Sequence, residues 1–313
     1  MSLQNKIRHS ISCFLPYGAR KWVKDRLSSY RQKKANSVEA RLAELRELII
    51  FNHPITQVPQ ATGKLRLLQQ GNAVLLKIFA KKCEEVGIRY WLDYGTLLGA
   101  VRHKGFIPWD DDLDVGMLRE EYDVLLSHIH SMFPKEQGFV ITKHSFLQIG
   151  VTGTPLNLDI FPYYRHTKPD SPENQAELLS KLLNVRKGVV FTRGLVNVTD
   201  EELKEKIKKE IYNQEEPLPE EENPLLFLSP SAAFLKDRIF RHEDVFPLRT
   251  ADFEGDMHSV PAHSRQYLEM LYGDYMTYPP KVGFWHQNVA DMVKNMKFES
   301  QVNQFIDTYS HLS

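Results

Sequence analysis

Apolar side chains recur at helical spacing between Thr62 and Gly87. They fall on one face of a helix and are Leu65, Leu68, Val74, Leu75, Ile78, Phe79 and Val86. Thr62 can cap a helix through its hydroxyl, and Gly87 tolerates the left-handed conformation that ends many helices. The pattern therefore predicts a core helix over residues 62–86.

Shorter apolar runs separated by turns follow this helix. The runs predict five strands, at residues 88–92, 109–117, 139–142, 148–151 and 156–163. Gly95 opens a turn into a short helix between the first two strands, and residues 120–132 have the pattern of an amphipathic helix. Because helices and strands are interleaved, we predict an α/β (α+β) fold with a mixed sheet and flanking helices.

Changes in composition divide the chain into four parts. Two charged helices, at about residues 171–186 and 199–213, and an acidic loop indicate an insertion rather than a second catalytic domain. A last helix is predicted over residues 289–310. The four predicted parts are a basic helical N-terminal extension (1–60), a catalytic core (61–164), a helical and acidic insertion (165–224) and the C-terminal part of the catalytic domain (225–313).

The formal charge is balanced, with 40 basic and 40 acidic residues among 313. A dedicated nucleic-acid binder usually has a strongly basic domain, so we do not expect a nucleic-acid partner. The balance hides a basic head, because nine of the basic residues but only one acid precede Ala35. We interpret residues 1–35 as basic amphipathic elements in peripheral contact with an anionic membrane. The alternative is a helical arm packed on the body or on a partner subunit.

The cysteine count and the absence of long apolar runs bear on the compartment. Cys13 and Cys83 have no metal-ligand spacing, which argues against a disulfide scaffold and a multi-cysteine zinc site. We find neither a secretory signal nor an apolar run long enough to span a membrane. A cytoplasmic protein is therefore predicted, with contact at the inner face of the cell membrane.

Four of the five residues from Asp110 to Asp114 are acidic. In an extended chain Asp110, Asp112 and Asp114 project to one face, and apolar Leu113 points to the other. Such crowding costs electrostatic repulsion unless cations neutralise it, and carboxylate oxygens suit Mg²⁺ or Mn²⁺. We therefore predict that Asp112 and Asp114 are metal ligands.

A calcium-binding loop and a solvated acidic turn each fit part of this pattern. An EF-hand has acids at positions 1, 3, 5 and 12, which are here Asp110, Asp112, Asp114 and Glu121. However, position 6 should be Gly and is Val115, and the preceding Pro108-Trp109 does not continue a helix. A solvated acidic turn would not alternate with Leu113 and Val115.

Two further elements accompany the acids. Gly95-Thr96 stands at a helix entry, where backbone N–H groups can approach a phosphate and the Thr96 hydroxyl can add a donor. Asp159 lies in the apolar run 156–163, where an unpaired charge is expensive to bury; the alternative is a surface aspartate at a strand end. Gly-Thr, then Asp-apolar-Asp, then a third carboxylate on a later strand is typical of the nucleotidyltransferase fold. Asp159 is therefore the third predicted metal ligand.

Longer motifs resemble the LicD family, which includes bacterial phosphocholine transferases and is related to the fukutin-type ribitol-phosphate transferases. The matching residues are 91–103, 105–114, 158–162, 267–268, 271–276, 279–280 and His286. The basic head and the insertion are not covered by this resemblance. Fukutin-related protein carries a zinc finger, and this chain lacks the cysteines for one.

The resemblance implies a nucleotidyltransferase-like fold and a metal-dependent phosphotransferase. Such an enzyme takes a phosphoalkyl group from a CDP-alcohol, and CDP-choline is the donor that we expect. The acceptor would be a sugar hydroxyl of a bacterial cell-surface glycan or glycolipid, such as lipopolysaccharide, teichoic acid or capsule. Asp112, Asp114 and Asp159 would hold Mg²⁺ or Mn²⁺. Asp159, or otherwise Asp110, would take the acceptor proton.

Residues near the acids are predicted to bind the donor and its nucleotide. They are Gly95, Thr96, Arg102, His103, Lys104, Trp109 and His286. Arg102 is also a catalytic candidate, because a guanidinium pairs well with phosphate; its alternative is a salt bridge to Asp110 or Asp93. For His286 the alternative is a structural role.

Three other functions stay open. The donor group could be ribitol phosphate or glycerol phosphate instead of phosphocholine. The same core and metals could serve a small-molecule nucleotidyltransferase. The acids could also belong to a non-catalytic metal-binding scaffold.

Overall fold

The computed structural model describes residue 48 and residues 52–143, 146–187, 191–192, 195–196, 199–230, 239–279, 295–309 and 311. The chain divides into two compact units, Met1–Pro54 and Ile55–Ser313, and the fold given below is that of the second unit. The basic head 1–35 and His286 lie outside the described residues. The predicted boundaries at residues 60, 164 and 224 stay predictions.

The longest helix is α1 (Gly63–Val86), which ends at Gly87 with a left-handed φ of 75°. This confirms the core helix predicted from the apolar stripe. Its buried face contains two amides, Gln69 and Asn72, among apolar side chains. Gly71 allows a close approach to its neighbour, since a Cβ there would lie 2.7 Å from Leu156 Cδ2.

The other helices and the strands follow in chain order. The helices are α2 (Tyr94–His103), α3 (Arg119–Met132), α4 (Pro172–Lys187), α5 (Asp200–Lys206), α6 (His242–Val245), α7 (Ser264–Tyr272) and α8 (Phe298–Tyr309). The strands are β1 (Trp91–Leu92), β2 (Asp114–Leu118), β3 (Phe139–Lys143), β4 (Leu147–Val151), β5 (Asn157–Pro169), β6 (Phe191–Thr192), β7 (Leu195–Val196), β8 (Pro224–Leu228), β9 (Ile239–Arg241), β10 (Arg249–Phe253) and β11 (Asp256–Val260).

Seven strands form one mixed sheet in the order β1-β2-β5-β4-β3, with β8 paired to β5 and β9 paired to β8. β2 and β5 run parallel, whereas the neighbouring pairs are antiparallel. β5 pairs with β4 through its first half and with β8 through its second half, on the edge opposite β2. β6–β7 and β10–β11 are separate hairpins. A mixed sheet with flanking helices confirms the predicted fold class.

Several predicted boundaries differ from the structure. The predicted strand 109–117 begins only at Asp114, because residues 110–113 form a loop. β5 continues to Pro169, beyond the predicted strand end at residue 163, because its second half pairs with β8. The predicted helix 199–213 consists of α5 followed by a π-helical segment, Ile207–Ile211.

The insertion builds its own hydrophobic cluster on β5 and β8. The members of this cluster are Tyr164, Leu178, Leu182, Val185, Leu203, Ile207, Ile211, Tyr212, Leu225 and Phe227. His166 on β5 is fully buried, and its Nε2 has no hydrogen-bond partner among the described residues. Burial, together with the positive charges of Lys181 and Lys168, lowers the pKa of His166 to about 4.

We expect His166→Gln to reduce the acid sensitivity of folding. The folded-state pKa of His166, about 4, lies below the unfolded value of about 6.5, so the unfolded chain binds the proton more readily. The loss of unfolding free energy caused by His166 is absent above pH 6.5, grows as the pH falls, and reaches its full value below about pH 4. Urea unfolding at pH 7 and pH 5 measures it. The wild type should lose about 1 kcal/mol more than His166→Gln after allowance for screening. Equal losses would contradict this assignment.

Candidate active site

Parallel pairing brings two of the predicted ligands together. Asp114 begins β2, and its register partner on β5 is Asp159. The backbone N–H of Asp159 donates to the carbonyl of Leu113 at 2.8 Å, which locks this register. Residues paired across parallel strands face the same side and lie about 4.8 Å apart. Both aspartates are partly exposed, whereas the apolar residues that alternate with them are buried.

The start of α2 lies directly against these acids. A Cβ at Gly95 would lie 2.6 Å from Asp110 Oδ2, so a larger residue would displace the carboxylate of Asp110, and it would lie in ordinary contact, at 3.9 Å, with Asp114 Oδ2. The hydroxyl of Thr96 is buried and accepts the backbone N–H of Asp114 at 2.8 Å. Thr96 therefore ties α2 to the first residue of β2. Its predicted role as a phosphate donor stays a prediction.

The loop before β2 concentrates negative charge. Carboxylate oxygens of Asp110, Asp111 and Asp112 lie within 4.8 Å of one another. The pKa of Asp110 is raised to about 7, first by desolvation in the surrounding protein and then by the negative charges of Asp112 and Asp111. Burial, and then the charges of Asp112, Asp159 and Asp110, raise the pKa of Asp114 well above its ordinary value. Oxygen ligands that repel one another so strongly fit a divalent cation such as Mg²⁺.

Asp159 is held by two amide side chains. Gln148 Nε2 donates to Asp159 Oδ1 at 2.7 Å, and Asn157 Nδ2 donates to the same oxygen at 3.3 Å. Gln148 lies on β4 and is the register partner of Asp159. The two donors fix the orientation of the Asp159 carboxylate. No feature of the sequence singled out Gln148 or Asn157.

A buried hydrogen-bond network around Asp93 holds the N-terminal end of α2. Asp93 caps the helix by accepting the backbone N–H of Tyr94 at 2.8 Å. It also accepts hydrogen bonds from the hydroxyls of Tyr163 at 2.6 Å and Tyr267 at 2.9 Å. Burial and the charge of Asp93 raise the pKa of both tyrosines. Tyr94 itself has a positive φ of 40°, and such strain often accompanies functional sites. No local pattern in the sequence indicated this network.

Arg102 and His103 lie at the opposite end of α2. Arg102 is seven positions after Gly95, a separation of about 10 Å along the helix axis. Its Nη2 donates to the carbonyl of Thr277 at 3.3 Å, and its guanidinium lies 5.9 Å from the ring centroid of Tyr275. Arg102 forms no ion pair with any residue that the structure describes, so the alternative salt bridge to Asp110 or Asp93 is not formed. Burial lowers the pKa of Arg102.

The other predicted binding residues are His103, at the end of α2, and Lys104 and Trp109, in the segment between α2 and β2. Burial, and then the charge of Arg102, lower the pKa of His103 to about 4. The carbonyl of Lys104 accepts the backbone N–H of Glu254, which lies in the β10–β11 turn, at 2.9 Å. Trp109 stacks on Tyr278 with 6.2 Å between ring centroids. The binding roles of these residues stay predictions.

Glu254 also holds the segment between α2 and β2, and the sequence did not predict this contact. Glu254 forms a bidentate pair with Arg66 of α1, at 2.9 and 2.6 Å, and accepts the backbone N–H of Phe106 at 3.1 Å. A Cβ at Gly105 would lie 2.5 Å from Glu254 Oε1, which explains the glycine. These contacts join residues far apart in the chain, so no local pattern indicates them.

The calcium-loop alternative does not fit the fold. Glu121, which would be the twelfth position of an EF-hand, lies on α3 beyond β2. Its carboxylate accepts from Arg89 Nε at 2.7 Å instead of turning back toward Asp110. Across the described residues 94–132, the chain does not form the helix, twelve-residue loop and second helix of an EF-hand.

A strand pair with facing aspartates beside a Gly-Thr helix entry defines a nucleotidyltransferase-type centre. Residues 87–191 match the family described as LicD/FKTN/FKRP, nucleotidyltransferase domain. Residues 87–191 therefore form a LicD-type nucleotidyltransferase domain, and the protein is a transferase of phosphate-containing groups. The resemblance seen in the sequence is thereby confirmed.

Individual relatives differ in how much of the chain they match. Lipopolysaccharide cholinephosphotransferase LicD of Haemophilus influenzae is 28% identical over 256 residues, which are 70% of this chain and 94% of that protein. Human ribitol 5-phosphate transferase FKRP is 34% identical over 92 residues, or 26% of this chain and 18% of the relative. Human ribitol-5-phosphate transferase FKTN is 31% identical over 96 residues, or 30% and 21%.

Proposed function

We propose that this protein transfers phosphocholine from CDP-choline to a sugar hydroxyl of a bacterial cell-surface glycan, in a reaction that depends on Mg²⁺ or Mn²⁺. The observation that carries the proposal is the match to a cholinephosphotransferase across 94% of that relative. The facing carboxylates on β2 and β5 support it, because phosphoryl transfer relies on positioning and on charge stabilisation rather than on covalent chemistry of the protein.

In this proposal Asp112, Asp114 and Asp159 hold the divalent ion. A bound ion would neutralise negative charge on the diphosphate oxygens and on the departing CMP. The backbone at the start of α2 would approach the diphosphate beside Gly95, where the absence of a Cβ leaves room. Asp159, oriented by Gln148 and Asn157, would accept the proton of the sugar hydroxyl, and Asp110 is the second choice for this task.

The main alternative is transfer of ribitol phosphate or glycerol phosphate from a CDP-polyol. It is supported by the two ribitol-phosphate transferases, whose similarity is confined to less than a third of this chain. A small-molecule nucleotidyltransferase would use the same arrangement of carboxylates but would release pyrophosphate.

A donor screen distinguishes these reactions. Purified protein is incubated with CDP-choline, CDP-ribitol, CDP-glycerol or a nucleoside triphosphate, each with Mg²⁺ and a glycan acceptor. We expect metal-dependent CMP release to be fastest with CDP-choline. Faster release with a CDP-polyol would favour the first alternative, and pyrophosphate release would favour the second. Folded protein that releases CMP from no CDP-alcohol would overturn the proposal.

We also propose that residues 1–35 hold the enzyme at the inner face of the cell membrane, where a glycolipid acceptor would be available. The support is the charge pattern of this head. Among the helices that the structure describes, none has the length and apolar character needed to cross a bilayer. Binding to vesicles with anionic lipid should fall when residues 1–35 are deleted. Unchanged binding would leave the head as a packing arm.

A further inference from the structure

Asn72 is an unusual residue for its position. It is fully buried in the middle of α1, on a face that also buries Leu68, Leu75 and Leu76. A leucine, whose side chain has the same branched shape, would be the ordinary residue at such a position. A buried amide is tolerated there when its donor and its acceptor are both satisfied. Here both are. Nδ2 donates to the carbonyl of Asp111 at 3.2 Å, and Oδ1 accepts the backbone N–H of Asn157 at 3.2 Å.

The two partners of Asn72 belong to the two segments that carry the predicted metal ligands. Asp111 directly precedes Asp112 in the loop before β2. Asn157 begins β5 two residues before Asp159, and its own side chain donates to Asp159 Oδ1 at 3.3 Å. One side chain on α1 therefore connects both sides of the acid cluster.

The strand ladder holds only the end of the loop against β5. The pairing of β2 with β5 begins at Asp114 and Asp159, and the carbonyl of Leu113 accepts the backbone N–H of Asp159, so residues 110–112 precede these bonds. Gln69, one turn earlier on α1, donates to the carbonyls of Ile107 and Asp110, and thus attaches the loop to the helix. Asn72 differs from Gln69 because it joins the loop to β5.

We propose that Asn72 is a positioning residue that sets the separation between Asp112 and Asp159, and thereby the affinity for the divalent ion. The inference rests on the proposed metal-dependent function. Partners that orient metal ligands typically change metal affinity or activity by about 10- to 100-fold. Asn72 lies outside the matched residues 87–191, so the family domain alone does not contain this contact.

Direct binding of Mn²⁺ to the full chain, measured by calorimetry, tests the inference without any donor. Asn72→Leu removes both hydrogen bonds and keeps the branched shape of the side chain, although its two methyl groups are larger than the oxygen and NH2 that they replace. We expect its Kd for Mn²⁺ to rise at least about tenfold. Asn72→Ser is a second variant, in which the side chain becomes smaller instead of larger. Its short hydroxyl cannot span both partners, so its Kd should rise as well.

Tyr212→Phe is the matched control for lost stability. It removes one buried hydrogen bond, from the Tyr212 hydroxyl to the carbonyl of Arg165 at 2.8 Å, within the insertion. Its denaturation midpoint should fall, while its Kd for Mn²⁺ stays that of the wild type. An equal loss of affinity in this control would mean that Asn72 acts through general stability, and the inference would fail.

The remaining outcomes separate this inference from the proposed function. Wild-type affinity in folded Asn72→Leu and Asn72→Ser would overturn the positioning role. If the wild type binds Mn²⁺ but consumes no CDP-alcohol, the proposed transfer fails and the comparison of Kd values still decides the role of Asn72. If the wild type binds no Mn²⁺, both proposals fail.

Discussion

Asp114→Asn is expected to lower kcat on the order of a thousandfold, because in the proposed reaction Asp114 is a charged metal ligand at the centre of the site. The metal-free protein should become more stable at neutral pH. Desolvation of the Asp114 carboxylate by the surrounding protein, and then repulsion by Asp112, Asp159 and Asp110, raise its pKa in the folded state. A neutral amide relieves that repulsion. CMP release and urea unfolding of the same preparation measure the two effects.

Asp256→Asn provides the control for this prediction. Asp256 lies on β11 and pairs with Lys77 at 2.9 Å on a partly exposed surface, where an ion pair contributes little. Its kcat should equal that of the wild type. Near-normal turnover by Asp114→Asn would contradict the assignment of Asp114 as a ligand, whatever its effect on stability.

Asp93→Asn is expected to destabilise the fold by about 3 kcal/mol, because an amide NH2 would then face a hydroxyl donor inside the protein. The carboxylate of Asp93 accepts hydrogen bonds from the backbone of Tyr94 and from the hydroxyls of Tyr163 and Tyr267. No water replaces a lost partner easily at a residue that is fully buried. The midpoint of chemical denaturation measures the loss.

Tyr267→Phe removes a hydrogen bond to Asp93 but keeps the negative charge of its carboxylate, so it distinguishes the two contributions to stability. It removes the hydroxyl that donates to Asp93 and that accepts from Trp91 Nε1 at 3.3 Å, but it leaves the capping bond to Tyr94 and the bond from Tyr163. It should cost about 1 to 2 kcal/mol, less than Asp93→Asn, because the carboxylate keeps its charge and two of its donors. If both variants lose the same stability, the carboxylate does not have the organising role that its three donors indicate.

The residues of the site that sequence reasoning found are those with a local pattern. Alternation of acids with Leu113 and Val115 indicated the face that carries Asp114, and the apolar run around Asp159 indicated a neighbouring strand. The structure pairs these two aspartates in register. The Gly95-Thr96 helix entry was also recognised from its local pattern, and it lies against Asp110 and Asp114.

The missed residues act across long distances in the chain. Arg66 and Glu254 are 188 positions apart, and Asn72 and Asn157 are 85 positions apart. A polar residue within an apolar helical stripe has no local reason to be there, so Asn72 was a detectable anomaly without an identifiable partner. The late start of β2 was missed for a related reason, since alternation alone does not distinguish an extended loop from a paired strand.

The hydrogen bond between Asp93 and Tyr267 also has a consequence for synthesis on the ribosome. The two residues are 174 positions apart, and residues of the aspartate loop are already translated long before Tyr267. Contacts between distant positions form late in folding, because chain closure must precede them. The acidic centre therefore stays incompletely anchored in the nascent chain. A chaperone that protects the first two-thirds of the polypeptide should raise the yield of active enzyme more than it raises the yield of soluble protein.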